Sequence, residues 1–397
     1  MKKLEILISG ASIAGPASAL LLARQGHRVT VVERAPRLRP GGQTVDLRGA
    51  GRTVIDRMGL TPATDARLLD QRGIATVDAR GRRRSELPVE AFGGNGIVST
   101  HEILRGDLAE VLVGAVPESV EYLWDDSVRA IEQHTGSVTV SFERAPDRSF
   151  DLVVGADGLR SAVRRAAFGP DDRHLRPIGL RYAWFTATID QPLDGWYLMH
   201  NSRGGRVVSA RPSRVDGTVK ASLAVRGSDP EPLHDRESQW RMLEEAFDGV
   251  GWVAPRLLEQ MRSATDWAYA DLAQVRMERF ASGRVALVGD AGYCPTPLTG
   301  LGTTLALVGA YVLAGELGRS GGEVAPALTE YQAVMRPFIA RTQQLPPGGA
   351  SGYAPSSRAA VALSRFSYWS MDKWPMRSLL AGQFAKADGI DLPDYGA

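Results

Sequence analysis

A carboxylate and a glycine-rich turn near position 290 could together bind a polar, partly anionic ligand. Residues 285–288 are apolar, as in a buried strand, and they end in Gly289 and Asp290. A turn rich in proline and glycine (295–302) then leads into an apolar helical pattern over about 303–317. A helix N-terminus offers free backbone N–H groups and the positive end of a dipole. An ordinary strand–turn–helix corner is the alternative for this stretch taken alone.

A second candidate ligand site stands at the beginning of the chain. A buried-strand pattern over 4–9 precedes a turn holding Gly10, Ser12 and Gly15, and a helix and a second strand follow, closed by Glu33. This is the order of a dinucleotide-binding βαβ unit. The first glycine permits the tight turn, the last permits close helix packing, and Glu33 can accept hydrogen bonds from a ribose. Ser12 stands where a glycine is usual and leaves a pyrophosphate less room.

A third strand end carries polar residues in the middle of the chain. A strand pattern over 150–154 leads into Asp157-Gly158 and a new helix, for which Ser161 is a suitable N-cap. Earlier, the apolar spacing over 101–115 predicts a helix carrying Arg105, which is either a surface charge or a phosphate contact. The basic, glycine-rich segment 37–52 contains Asp46, and a solvated surface loop is its simplest interpretation.

Composition narrows the classes of function. The 397 residues carry 47 basic and 45 acidic side chains, a net charge of +2, which favours neither nucleic acid nor an acidic membrane as partner. The single cysteine, Cys294, excludes an intrachain disulfide, a cysteine-rich zinc site and an iron–sulfur cluster. It has no nearby histidine to activate it, so a packed thiol is expected rather than a nucleophile. Because the sequence has no signal-peptide pattern and no apolar run of membrane-spanning length, we expect a cytoplasmic protein. We also expect no bound metal.

Beyond residue 175 the strand-like segments follow one another without intervening helices, which predicts an antiparallel sheet in a separate lobe. Its predicted strands are 182–189, 195–201, 206–212 and 218–225, and the segment 267–273 leads back towards the motif at Asp290. Helices are predicted around 237–247 and 254–262, and later over 325–344 and 361–384. The last of these is rich in aromatic residues and is interpreted as a tail packed across both lobes.

The three motifs, in this order, resemble those of the single-component FAD-dependent aromatic hydroxylases. These are the group A flavoprotein monooxygenases, with the para-hydroxybenzoate hydroxylase fold. The resemblance covers nearly the whole chain, and Gly41-Gly42-Gln43-Thr44-Val45-Asp46-Leu47 is most similar to the tetracycline-degrading monooxygenases and to actinobacterial hydroxylases of antibiotic biosynthesis. It implies an α/β fold: a Rossmann-like FAD-binding domain with a parallel sheet, an antiparallel-sheet substrate domain and C-terminal helices. The division expected is 1–175 and 274–324 for the FAD-binding domain, 176–273 for the substrate domain and 325–397 for a bridging helical segment.

The resemblance also implies which residues bind the cofactor. Around the pyrophosphate, the adenosine and the ribityl chain it points to Gly10, Ser12, Ile13, Ala14, Gly15, Glu33, Arg34, Asp46, Arg105, Asp157 and Asp290. Against the isoalloxazine ring it points to Pro297, Gly300, Leu301, Gly302 and Thr303. Pro297, Gly300 and Gly302 are the catalytic candidates, because they would shape a dry wall and present N–H donors beside the ring. Asp157-Gly158 would also serve NADPH or NADH.

Substrate is expected between the flavin and the antiparallel sheet. Thr186 and Leu298 are candidates by their positions in the resemblance, and Tyr197, Met199 and Arg211 by their place on the sheet. Which strand parity faces the pocket stays open, since a one-residue slip inverts every side chain. Departures from the family pattern are Tyr293 for histidine, Thr304 for asparagine, Gly309 for aspartate and Leu298 for an aromatic residue. The last argues against tetracycline as the substrate.

The implied activity is an NAD(P)H-consuming monooxygenase that forms a flavin C4a-hydroperoxide and inserts one oxygen atom into an aromatic or polyketide-like small molecule. Neither nucleic acid nor membrane is expected as partner, and a monomer is expected. Three alternatives stay open: another flavin oxidoreductase such as a halogenase or a reductase, an FAD-binding protein that sequesters a ligand without turnover, and an NAD-dependent dehydrogenase. The Trp-x-Trp-x-Ile-Pro motif of flavin halogenases is absent.

Overall fold

The computed structural model describes residues 2–39, 41–227, 233–373, 382 and 385–396. The strands are β1 (Glu5–Ser9), β2 (Arg28–Glu33), β3 (Thr44–Asp46), β4 (Gly73–Val77), β5 (Arg83–Pro88), β6 (Glu102–Leu104), β7 (Glu121–Trp124), β8 (Val128–Gln133), β9 (Val138–Phe142), β10 (Arg148–Phe150), β11 (Leu152–Gly155), β12 (Leu175–Ala187), β13 (Trp196–Ser202), β14 (Arg206–Pro212), β15 (Val219–Arg226), β16 (Ala268–Val275), β17 (Ala281–Ser282) and β18 (Val285–Leu287).

The α-helices, named in the same way, are α1 (Ala14–Arg24), α2 (Ala50–Arg57), α3 (Thr61–Asp65), α4 (Arg105–Ala115), α5 (Ala162–Phe168), α6 (Asp171–His174), α7 (Arg236–Phe247), α8 (Ala254–Met261), α9 (Asp290–Tyr293), α10 (Gly302–Arg319), α11 (Val324–Thr342), α12 (Gly349–Tyr353) and α13 (Arg358–Ser370). Short 3-10 turns occur at Val89–Phe92, Pro297–Thr299 and Ala385–Asp388. Within the described residues, no helix combines the length and apolarity that crossing a membrane requires.

The first large sheet has the strand order β17-β18-β11-β1-β2-β7, and its strands pair in parallel except for β17. The central strands β1, β11 and β18 are almost wholly buried, as expected for a parallel sheet covered on both faces. Because these neighbours run in the same direction, their carboxyl ends meet at one edge. The three predicted strand-end motifs therefore lie side by side, although they are far apart in the chain.

The second large sheet has the strand order β16-β12-β15-β14-β13-β4-β5, and its strands pair antiparallel except β13 with β4. This mixed α/β architecture confirms the predicted fold class. Strands β4 and β5, from within the segment 1–175, extend this sheet, which the sequence analysis did not predict. Side chains alternate along the strands: Phe185 and Leu198 pack towards α7 and α8, whereas Tyr182 and Met199 belong to the opposite face.

Helix α10 links the edge of the first sheet to the rest of the core. The sequence pattern predicted one apolar face, but every residue from Thr303 to Leu317 is buried. The reason is that α10 packs against α1, α2 and α11 at once. A helix enclosed in this way has little freedom to shift, so its first turn is held in a fixed place.

Two of the departures from the family pattern, Tyr293 on α9 and Gly309 on α10, compensate each other. A Cβ atom at Gly309 would lie 1.9 Å from the hydroxyl oxygen of Tyr293. The Tyr293 hydroxyl also lies 2.9 Å from that of Tyr331, which donates to the Leu287 carbonyl at 2.8 Å. The larger ring at 293 thus occupies space that only glycine at 309 leaves free.

The predicted helix over 101–115 is wrong at its start. Residues Glu102–Leu104 form β6, which pairs antiparallel with β3, and the helix begins at Arg105. Ile103 and Leu104 fit both a helical and a strand period, and three residues are too few to distinguish the two. The pairing also draws the predicted surface loop around Asp46 into the interior.

The C-terminal part of the chain packs against helix α10, next to the first sheet. The predicted helix over 325–344 is α11. The predicted helix over 361–384 overlaps α13, which begins at Arg358 and ends at Ser370, and from 374 on all of the predicted helix except 382 lies outside the described residues. Tyr395 packs its ring where a Cβ atom at Gly315 would stand, and its hydroxyl donates to Glu316 at 2.7 Å. These contacts hold the C-terminal segment 385–396 against α10.

Candidate functional site

A cavity of about 840 Å³ lies between the strand-end edge of the first sheet and one face of the second. That volume is large for a small-molecule site, at the upper end of the usual range. Its walls include most residues predicted from the sequence: Ser12, Ile13, Ala14, Asp46, Arg105, Asp290, Pro297, Gly300, Leu301, Gly302, Thr303, Tyr197, Met199, Arg211 and Leu298. The structure brings these together from both sheets.

Two helix N-termini open into this cavity without a side-chain cap. Ile13 precedes α1 and Leu301 precedes α10, and neither side chain can accept a hydrogen bond from the first turn. Neither first turn contains an acidic residue. The first backbone N–H groups of both helices are therefore available to an anionic or electron-rich ligand, and both dipoles favour it.

The two carboxylates at the neighbouring strand ends have different surroundings. Asp290 lines the cavity and is reached by water from it, but protein encloses the group and this desolvation raises its pKa. Asp157 points elsewhere: it accepts hydrogen bonds from the Ser161 hydroxyl at 2.5 Å and from the Ala162 backbone N–H at 2.7 Å. Asp157 therefore binds the first turn of α5, whose N-cap is Ser161 as predicted, and Gly158 is the residue of that motif that lines the cavity.

Gly10 and Gly15 are buried behind the cavity wall and serve close packing. A Cβ atom on Gly10 would lie 2.5 Å from the Ala156 carbonyl oxygen, and one on Gly15 would lie 1.8 Å from the carbonyl oxygen of Gly10. Gly10 also has φ +107°, which a residue with a side chain rarely adopts. These glycines let β1, the turn and α1 approach one another closely, so that the first turn of α1 reaches the cavity.

A smaller pocket adjoins the cavity and shares Ser12 and Arg105 with it. Glu33 lies here, and its two carboxylate oxygens accept hydrogen bonds from the backbone N–H groups of Ala11 at 2.8 Å and Ala35 at 2.9 Å. Arg34 is exposed and lines neither space. The basic residues at this pocket are Arg37, Arg39 and Arg105.

Arg105 stands where the pocket and the cavity meet. Its guanidinium donates to the Ser12 hydroxyl at 2.9 Å, and its pKa is lowered chiefly by burial. A Cβ atom on Gly42 would lie 3.0 Å from Arg105 Nε, so the glycine loop lies against this side chain. Of the two interpretations left open by the sequence, a freely solvated surface charge does not describe Arg105, because its side chain is partly buried where the pocket and the cavity meet. The phosphate contact stays a prediction.

The turn between α9 and α10 is strained where it meets the cavity. Thr296 has φ +74°, and its buried hydroxyl oxygen has no hydrogen-bond partner. Behind the turn, the Gln343 side-chain amide donates to the carbonyls of Tyr293 at 3.1 Å and Cys294 at 3.3 Å. The Gln274 side-chain amide donates to the Pro295 carbonyl at 2.9 Å. These two buried glutamines, here called the glutamine clamp, hold the backbone that leads into Pro297.

Cys294 is a packed thiol, as expected. It is buried, its Sγ lies 3.7 Å from the Ala273 carbonyl oxygen, and burial followed by the neighbouring Asp290 raises its pKa well above the usual range. A thiol held neutral in this way is a poor nucleophile. Across the described residues, no group of three or more His, Cys, Asp or Glu side chains is arranged to hold a metal ion.

The structure shows which face of the second sheet lines the cavity, a question that the sequence left open. Tyr197, Met199 and Arg211 face the cavity, and Leu298 lies opposite them on the turn before α10. Thr186 does not line the cavity. Its hydroxyl donates to Asp266 at 2.6 Å and accepts from Lys220 at 2.7 Å, so it supports an ion pair that does.

Sequence reasoning missed Glu102, which is 1% exposed beneath the cavity wall. Its carboxylate accepts a hydrogen bond from Arg211 at 2.8 Å and another from Gln71. Burial raises the pKa of Glu102 to about 7; Arg211 opposes the shift and Asp46 adds to it. No motif marks this residue, because only the pairing of β6 with β3 brings it under the site.

The donors and acceptors of the site fit FAD. Two uncapped helix N-termini and Arg105 suit a pyrophosphate and an electron-rich ring, and Asp290 suits hydroxyl groups. Two buried oxygens on the wall, Asp46 Oδ1 and Thr296 Oγ1, have no partner within the described residues. Such atoms are costly to leave unpaired, so a polar ligand that reaches them is expected.

Comparisons with known proteins agree with this assignment. A sequence profile for the family described as FAD binding domain matches residues 3–344. An uncharacterised protein of Mycobacterium tuberculosis is 42% identical over 354 residues, covering 88% of this chain and 94% of its own. A flavin-dependent monooxygenase from an unknown prokaryotic organism is 37% identical, covering 85% and 87%. The crystal structure of tetracycline destructase Tet(51) is 30% identical, with a TM-score of 0.82 and complete coverage of both chains.

Proposed function

The chain belongs to the FAD-binding domain family and is an FAD-dependent monooxygenase, and on that premise we propose that it consumes NADPH or NADH and inserts one oxygen atom of O₂ into an aromatic or polyketide-like small molecule. Bound FAD would supply the redox chemistry, taking hydride from the nicotinamide and activating O₂. The protein's own part is to bind the cofactor, orient the substrate and keep water out.

The cofactor's phosphates and adenosine are proposed to lie along the first turn of α1. The N–H groups of Ile13 and Ala14, with Ser12 and Arg105, would bind the pyrophosphate, since charge-assisted donors bind phosphate oxygens strongly. The adenosine would lie along the surface that holds the smaller pocket, where Glu33 could accept from a ribose. Asp290, at the opposite side of the cavity, would accept from the ribityl hydroxyls.

The isoalloxazine ring is proposed to lie against the turn 296–302. The N–H groups at the start of α10, around Gly302 and Thr303, would stabilise negative charge on the ring without moving, because α10 is fixed by its neighbours. Pro297 has no backbone N–H and presents an apolar surface, which favours a water-poor reaction space. Substrate would then occupy the space between this turn and the second sheet.

One observation carries the proposal: two uncapped helix N-termini and the face of the second sheet that bears Tyr182, Trp184 and Tyr197 enclose the same cavity. The test is a visible absorption spectrum, followed by NADPH oxidation and O₂ uptake with a panel of polycyclic phenols. We expect flavin bands, oxidation accelerated by one class of ligand, and a product that carries one atom of isotope-labelled O₂. Colourless protein that takes up no FAD would contradict the cofactor sites. Ligand-stimulated NADPH oxidation without labelled product would contradict oxygen insertion.

A further inference from the structure

The part of the cavity that faces the second sheet, here called the sheet wall, is formed by β12, β13, β14 and β15. Neighbouring strands place Tyr197 and Met199 beside Ser209 and Arg211, and Ser222 beside Ser209. These residues share one face because side chains on paired strands point the same way at each register position. What this wall offers a ligand follows from their charge and shape.

The two cations on the sheet wall already have carboxylate partners. Arg211 lies 2.8 Å from Glu102, and Lys220 lies 3.0 Å from Asp266. All four side chains are largely removed from bulk water, with exposed fractions of 23%, 1%, 12% and 21% in that order. An ion pair at this distance leaves little net positive charge for a third group.

The adjoining strand β3 repeats the arrangement. Arg48, which follows it, lies 2.6 Å from Asp46, with exposed side-chain fractions of 6% and 13%. Two further cations line the cavity away from the sheet: Arg105 beside Ser12, and Lys386, which lies 3.5 Å from the Gln344 carbonyl. Among the described residues, the region facing substrate is therefore charge-balanced.

The remaining surface of the sheet wall is aromatic and hydroxylated. The rings of Tyr182 and Trp184 stack with centroids 4.4 Å apart, and the Arg211 guanidinium lies 3.9 Å from the ring centroid of Tyr197. The Tyr182 hydroxyl lies 2.8 Å from that of Tyr353 and 3.0 Å from that of Ser222. Flat rings and neutral hydroxyls suit a planar ligand that bears hydroxyl or carbonyl groups.

We propose that this site, given the activity proposed above, takes an uncharged planar aromatic substrate with hydroxyl or carbonyl groups and discriminates against aromatic carboxylates. A ligand carboxylate on the sheet wall would lose its water and find each cation there already paired. Burying a charge without a counterion costs far more than burying a neutral group of the same shape. The Arg211–Glu102 pair is thus a specificity-determining pair.

The test compares ligands that differ only in charge. A dihydroxyanthraquinone, its ring carboxamide and its ring carboxylate are titrated into FAD-loaded protein at about pH 8, with binding read from the flavin spectrum. We expect the carboxylate to bind at least about tenfold more weakly than the carboxamide, a difference of about 1.4 kcal/mol. A carboxylate that binds as tightly as the carboxamide would overturn the proposal.

Glu102→Gln links the discrimination to the pair, because it removes the negative charge and keeps the shape. In this variant Arg211 loses its carboxylate partner. We therefore expect the affinity for the carboxylate to rise until the two ligands differ in Kd by no more than about threefold. Glu244→Gln is the matched control; Glu244 pairs with Arg262 outside the cavity, and its variant should keep the wild-type ratio. If the ratio of the two affinities is the same in Glu102→Gln as in wild type, the Arg211–Glu102 pair does not determine the specificity.

Further variants and outcomes complete the test. If Glu102→Gln fails to fold, Asp266→Asn frees Lys220 on the same wall and carries the same expectation. If none of the three ligands binds FAD-loaded protein, the substrate assignment fails, while the flavin spectrum and NADPH oxidation still judge the proposed activity separately. Loss of carboxylate binding in Lys386→Met would place the ligand on the opposite side and overturn the proposal as well.

Discussion

At the scale of single residues, the site depends on groups whose surroundings change their chemistry. Glu102 is the clearest case, since it is 1% exposed and its carboxylate accepts a hydrogen bond from Arg211. Asp290 and Asp157 end neighbouring strands, yet Asp290 lines the cavity and Asp157 binds the first turn of α5. The sequence predicted both carboxylates and could not separate them, because the separation depends on where the following helix begins.

Glu102 should give the folding stability a distinct pH dependence. Its pKa is raised by burial from the ordinary 4.5 to about 7, so the folded protein holds a proton that the unfolded chain has lost. The stabilisation from this proton is complete below about pH 4.5 and is lost as the pH rises through about 7. We expect the melting temperature of wild type, relative to that of Glu102→Gln, to fall across this window in thermal scans. A constant difference between the two proteins would contradict the raised pKa.

The pair of Tyr293 and Gly309 should respond non-additively to substitution. Gly309→Ala places a methyl group against the Tyr293 hydroxyl and should destabilise the fold by about 1–3 kcal/mol. Tyr293→Phe removes the colliding oxygen, so the double variant should be more stable than the sum of the single effects predicts. Chemical denaturation of the four proteins measures the coupling.

The matched control for this change is Gly114→Ala on α4. A Cβ atom there would meet no atom within 4 Å, and alanine in a helix should stabilise by about 0.4–1 kcal/mol. Equal effects at 114 and 309 would mean that the collision with Tyr293 is not what matters at Gly309.

At the scale of elements, sequence periodicity predicted the long units and missed the short ones. The bounds of β14 were predicted to the residue, and those of α10 within two residues. Strand β6 was taken for the start of a helix. Strands β4 and β5 escaped notice, because their partner β13 lies more than a hundred residues further along and β5 alternates with charged residues. Which face of the second sheet lines the cavity depended on packing, which no local pattern contains.

The glutamine clamp is an element-level feature with a measurable effect. Gln343→Leu would leave the carbonyls of Val275, Tyr293 and Cys294 without this donor, so we expect a loss of about 1–3 kcal/mol in stability. We also expect FAD affinity to fall by on the order of tenfold, because the turn 296–302 loses its support. Flavin fluorescence titration and thermal unfolding measure the two effects.

Gln260→Leu provides the comparison for the clamp. Gln260 also bridges backbone groups through its side chain, at Thr188 on the surface of the second lobe. We expect this variant to bind FAD as wild type does. Weakened FAD binding in Gln260→Leu, or unchanged binding in Gln343→Leu, would contradict the role given to the clamp.

At the scale of the whole molecule, the cofactor should act as part of the fold. Its proposed contacts come from α1, from the end of β2, from α4, from α9 and from the turn before α10, which are far apart in the chain. A ligand that binds the folded state alone adds about 2.7 kcal/mol of stability at a hundred times its Kd. We expect added FAD to raise the melting temperature of the apoprotein in a concentration-dependent way in scanning calorimetry. A melting temperature independent of FAD would contradict the site.

The passage of β4 and β5 into the second sheet has a consequence for building chimeras. The second sheet is assembled from two separate stretches of chain, 73–88 and 175–275, with β7 and β11 of the first sheet encoded between them. A gene fragment spanning only the later stretch would graft five strands next to two foreign ones, and β13 would lose the neighbour whose register it matches. Exchange of substrate preference between relatives therefore requires both stretches to be exchanged together, and libraries that exchange only one of them should yield mostly misassembled sheets.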